Sequence, residues 1–82
     1  MTSEQCRAAR GWLGWSQDEL ARQAEVAVRT VAAFERGEQT PQRNNLTAMR
    51  RAFEAAGVRL VFDQIGPAGI LRRDAGDELF DG

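Results

Sequence analysis

Two arginines in the stretch "VRTVAAFERG", residues 28–37, are the side chains best placed to do chemistry. Read as a short helix, the stretch carries Val28, Arg29, Ala32, Ala33 and Arg36 on one side and Val31 and Phe34 on the other. A guanidinium donates hydrogen bonds in a planar fork and accepts none. The valine and alanines beside it let another surface come close. Such a face is too polar for a core and holds no nucleophile or general base. Its chemistry is binding.

Composition points the same way. The 82 residues contain no histidine and one cysteine, Cys6. No paired-carboxylate pocket is visible, so no catalytic residue is nominated and an enzyme is not expected. One cysteine without histidine builds no zinc-type cluster, so no metal or cofactor is expected. Cys6 is expected to be a small buried apolar residue.

Charge is unevenly placed along the chain. Residues 1–73 hold all 11 arginines against eight acids, whereas residues 74–82, "DAGDELFDG", hold four acids and no base. No apolar run approaches the roughly 18 residues of a membrane span. The start, "MTSEQCRAAR", lacks the basic-then-apolar order of a signal peptide, so a cytoplasmic location is the default expectation.

The elements that must position the arginine face follow from caps and spacing. Ser3 is predicted to cap a first helix reaching about Leu13 and ended by Gly14. Cys6, Ala9, Arg10 and Leu13 share one stripe of it, and an arginine there needs a partner. "WSQDEL" starts a second helix, with a capping box from Ser16 to Glu19 and a Trp15–Leu20 staple. That helix runs from Gln17 to about Ala24. A tight turn plugged by Val26 leads into the third helix, which runs to Arg36 and stops at Gly37.

After a loop barred from helix by Pro41, Asn44 or Asn45 caps a fourth helix to about Ala56. Leu46, Met49, Phe53 and Ala56 form its inward stripe. "VRLVFD" then alternates, with Val58, Leu60 and Phe62 on one face, and reads as a strand. "QIGPAG" is a turn and "ILRR" a second short strand. Trp12 is expected to complete the core against the fourth helix, a dimer contact being the alternative. Arg50, Arg51, Arg59, Arg72 and Arg73 read as outer-face charges.

Two short helices about a tight turn form a helix-turn-helix. "SQDELARQAEVAVRTVAAFERGEQTP" resembles the phage-repressor (Xre/Cro-type) helix-turn-helix family. The resemblance rests on Ser16-Gln17, Glu19-Leu20-Ala21, Val26, Thr30-Val31, Phe34 to Gly37, Thr40-Pro41 and Leu46. It covers roughly residues 3–57. Two positions depart from the family's pattern. Glu25 stands at the turn position that is most often glycine, and Ala27 stands where a serine often caps the third helix.

The resemblance implies a mainly α fold, a four- to five-helix repressor-like bundle, with a DNA-binding domain over 1–57. To this the residues themselves add a C-terminal β-strand or hairpin over 58–73, whose open edges and apolar face suggest dimerisation, and a flexible acidic tail over 74–82. The resemblance also implies that the third helix enters the major groove of double-stranded DNA and presents Ala27, Val28, Arg29, Ala32 and Ala33 to base edges. Arg29 then grips guanine, while the small residues read thymine methyls or permit close approach. Gln17, Thr30, Arg36, Arg43 and Asn44 fall at or near positions that hold phosphates. Arg10 and Glu35 match a buried ion pair of some members.

Val58, Leu60 and Phe62 are expected at a homodimer contact, giving a repressor that reads a palindromic operator, a hairpin folded on its own domain being the alternative. The alternative is a protein-interaction module on the same fold, an antitoxin or antiactivator with a protein partner.

Overall fold

The computed structural model describes residues 1–62 and 67–72. The described residues form α1 (Ser3–Leu13), α2 (Gln17–Ala24), α3 (Val28–Glu35), α4 (Arg43–Ala55), β1 (Val58–Phe62) and β2 (Pro67–Arg72). The fold is mainly α, a helical bundle carrying a short C-terminal hairpin. The tail over 74–82 and the turn residues 63–66 lie outside the described residues.

α1 is capped one residue earlier than expected, by Thr2. Thr2 accepts from the Gln5 N–H at 3.1 Å, and Gln5 Oε1 accepts from the Thr2 N–H at 3.0 Å. This is a capping box on the other of two adjacent hydroxyl residues. Ser3 is spent differently, since its hydroxyl donates to the Phe34 carbonyl at 2.7 Å and ties α1 to α3.

α2 begins as read from sequence: Ser16 Oγ accepts from the Glu19 N–H at 3.0 Å. The Glu19 carboxylate accepts from Arg22 and from Gln23 Nε2 rather than closing the box. Trp15 covers the core and stacks on Phe53, with ring centroids 5.9 Å apart. α2 ends at Glu25, whose φ of 58° is left-handed. A non-glycine residue there costs roughly 1–2 kcal/mol. The turn still closes, because the Val26 N–H reaches the Ala21 carbonyl at 3.0 Å.

α4 begins at Arg43 with Gln42 as its cap, so Asn44 and Asn45 lie inside its first turn rather than before it. The amides of Asn45 and Leu46 both reach the Gln42 carbonyl, which sets the start of the helix. The core holds Phe53, Leu20, Met49, Val31, Val58 and Cys6 as its largest fully buried side chains.

Trp12, expected in that core, is 57% exposed. The inward stripe of α1 runs through Cys6 and Ala9 towards Leu13, and Trp12 lies to its side.

β1 pairs antiparallel with β2, Val58 opposite Arg72 and Leu60 opposite Ile70. Val58 and Leu60, expected at a dimer contact, are 1% and 7% exposed. The hairpin packs back on α1 and α4, so their side chains are covered within the chain. The Phe62 side chain lies outside what is described. Gln5 Nε2 donates to the Val61 carbonyl at 3.0 Å, joining the first helix to β1.

Candidate nucleic-acid interface

The inner end of α3 is organised around one carboxylate. Glu35 is 4% exposed, so its charge needs compensation. Arg10 supplies it with a fork: Nε donates to Oε2 and Nη2 to Oε1, both at 2.8 Å. Arg10 Nη1 also donates to the Trp15 carbonyl at 2.9 Å. Gln17 Nε2 donates to Oε1 at 3.0 Å, and Cys6 Sγ to Oε2 at 3.1 Å. Arg7 donates to the Glu35 backbone carbonyl.

One side chain of α3 is thus held by α1 and by the start of α2. Two-pronged guanidinium–carboxylate bonds fix orientation as well as distance. The result fixes α3 against α1, with Gln17 tying in the start of α2.

The electrostatics follow from these contacts. Burial alone would push the Glu35 carboxyl up, but the hydrogen bonds from Arg10, Gln17 and Cys6 outweigh it and hold the group below its ordinary value. Glu35 in turn raises the Arg10 guanidinium. Burial, then the Glu35 hydrogen bond, push the Cys6 thiol well up, so Cys6 is a neutral donor and not a nucleophile.

The outer side of α3 makes the opposite use of its residues. Val28 is 43% exposed, Ala27 and Arg29 are exposed, and Ala32 and Ala33 are half-buried. Among the described residues, Arg29 and Arg43 form no ion pair. Thr30 is half-buried, while Arg43 and Asn44 are exposed in the first turn of α4.

Neither Ala27 nor Gln42 caps its helix with a side-chain hydrogen bond, and neither first turn holds an acid. Acids normally collect there because the helix dipole favours them. Uncapped first-turn amides without a nearby acid are well suited to an external anion.

Gln17 and Arg36 are less open than the sequence suggested. One Gln17 amide N–H is taken by Glu35, which leaves its second. Arg36 is bound to Glu38 through both carboxylate oxygens, at 2.7 and 3.0 Å. The contacts of Cys6 and Gln17 with Glu35 carry no sequence signal, since they join three separate elements. The Arg36–Glu38 pair does carry one: opposite charges two residues apart across a glycine stop.

A helix-turn-helix family model matches residues 7–56. A search of curated proteins finds no match. Among the described residues, no helix is long and apolar enough to cross a membrane.

Proposed function

The chain belongs to the Xre/Cro-type helix-turn-helix family of DNA-binding regulators, and on that premise we propose that it reads a specific DNA sequence through the outer face of α3. The observation carrying this is the contrast across α3. Its inner face is fixed by Glu35, while Val28 and Arg29 stand exposed beside an uncapped helix start.

Arg29 donates to the two major-groove acceptors of a guanine. Val28, with Ala27, Ala32 and Ala33 around it, meets thymine methyls and lets the helix sit close. Thr30, Arg43, Asn44, Arg36 and the free N–H of Gln17 hold phosphates, with the open first turns of α3 and α4 helping. Phosphate contacts give affinity, and base contacts give sequence.

One α3 reaches few base edges. A second copy doubles the site, so the protein binds as a homodimer to a palindrome with half-sites about one helical turn, roughly 34 Å, apart. Val58 and Leu60 are committed to the chain's own core, so the contact between copies uses other side chains. Occupancy of such a site excludes other proteins from it, which makes repression the direct consequence of binding.

Selection of bound sequences from a random DNA pool tests this, using the full chain and Arg29→Ala. The expected result is a palindrome for the first, loosened at a guanine in the second, with affinity falling steeply as salt rises. Recovery of no enriched sequence would overturn it and point to a protein partner on the same face.

A further inference from the structure

Arg36 and Glu38 flank the glycine that ends the third helix. Gly37 is left-handed, with φ of 76°, and the Glu38 N–H closes back on the Ala33 carbonyl at 3.0 Å. This turn holds the Glu38 backbone in place beside Arg36. The Arg36 fork then donates Nε to Oε2 at 2.7 Å and Nη2 to Oε1 at 3.0 Å. The two side chains are 58% and 56% exposed. Each hydrogen bond favours the charged form of both partners, raising Arg36 and lowering Glu38.

A carboxylate and a phosphate compete for the same edge of a guanidinium, because both offer two oxygens to one planar fork. An exposed pair is screened by salt and opens readily, so Glu38 is an exchangeable occupant and not a lock. When a phosphate displaces it, a free carboxylate is left close to the DNA backbone, where like charges repel.

We propose that Glu38 is a built-in competitor for the phosphate contact of Arg36, lowering affinity for DNA of any sequence and leaving discrimination to Arg29. This rests on the DNA binding proposed above. Neighbouring charges do not substitute for it: Arg29 and Arg43 have no such partner among the described residues. Arg36 is therefore the one phosphate-contact arginine of the set whose fork is filled before DNA arrives.

The test is binding of the full chain to a labelled duplex of random sequence across a salt series, for wild type, Glu38→Gln and Glu4→Gln. Glu4 is an exposed acid in the first turn of α1, and its substitution controls for net charge alone. Glu38→Gln is expected to bind about 5- to 10-fold tighter near 0.1 M salt, with the gain shrinking as salt rises, because the phosphate no longer has to displace a carboxylate and leave it beside the DNA backbone. Glu4→Gln is expected to change affinity much less.

If Glu38→Gln binds no tighter than Glu4→Gln while wild type binds with clear salt dependence, the competition is refuted and the DNA-binding proposal stands. If wild type binds no duplex at low salt, both fall together.

Discussion

Glu35 and Arg36 are neighbours in sequence, and each belongs to a two-pronged guanidinium–carboxylate pair. Arg10 meets Glu35 with two bonds of 2.8 Å, and Arg36 meets Glu38 with bonds of 2.7 and 3.0 Å. Their bond geometry is nearly the same. Their surroundings are not: the Glu35 side chain is 3% exposed and the Glu38 side chain 56%. The first pair joins two helices 25 residues apart, and the second closes a turn of two residues. Geometry alone therefore says little about what a pair is worth. Burial decides, because a buried charge that loses its partner has no water to turn to.

The largest expected effect breaks the buried pair. Arg10→Ala or Glu35→Ala should cost roughly 3 kcal/mol, the low end for a buried pair because Arg10 is partly solvated. For a domain of this size that is a fall in melting temperature of more than about 10 °C, read by circular dichroism. A melting curve left unchanged by both would show that burial is not what separates the two pairs.

Acid should act on the buried pair as well. Glu35 is held below its ordinary value, so as pH falls the unfolded chain takes up the proton first. Its contribution is full above the unfolded carboxylate value of about 4.3 and is lost as pH drops towards the lower folded one. Melting temperature followed from pH 7 to pH 3 should fall over this lower range, and less so in Glu35→Gln.

A smaller effect sharpens the comparison within the buried cluster. Cys6→Ala removes one of four side-chain donors to Glu35 and leaves Arg10 in place. The expected loss is about 1 kcal/mol by denaturant titration. A loss as large as that of Arg10→Ala would mean that the thiol, not the guanidinium, holds the cluster.

The smallest effect is on the surface pair. Arg36→Ala and Glu38→Gln should leave the melting temperature within about 3 °C of wild type. On the competition proposed above, their consequences belong to DNA binding instead.

Much of this was legible from local pattern. Ser16, Gly14 and Gly37 marked helix ends because caps and stops act within a few residues. Glu25 and Ala27 stood out as departures from the family's pattern, and the structure has a left-handed Glu25 and a third helix without a side-chain cap. The Arg10–Glu35 pair came from family resemblance, since nothing in spacing joins positions so far apart.

What escaped was decided between elements. Thr2 rather than Ser3 caps α1 because Ser3 finds the Phe34 carbonyl. Trp12 reads as core from its type, but the orientation of α1 turns it outward. Gln17 reads as a phosphate ligand, yet its position over Glu35 draws one of its donors inward. Val58 and Leu60 were correctly read as one apolar face, but the pattern could not say which chain would cover it.

The hydrogen bond from Gln5 to the Val61 carbonyl spans 56 positions. A chain is made from its N-terminus, so Gln5 must wait for Val61. At about 5–20 residues per second the interval is roughly 3–11 s. Glu35 reaches Arg10 midway through that wait, and β1 arrives only near its end. The third helix is thus made while the helix that clamps it is still half-anchored. Full anchoring of α1 therefore comes seconds after α1 itself is made, at a delay set by the pace of synthesis.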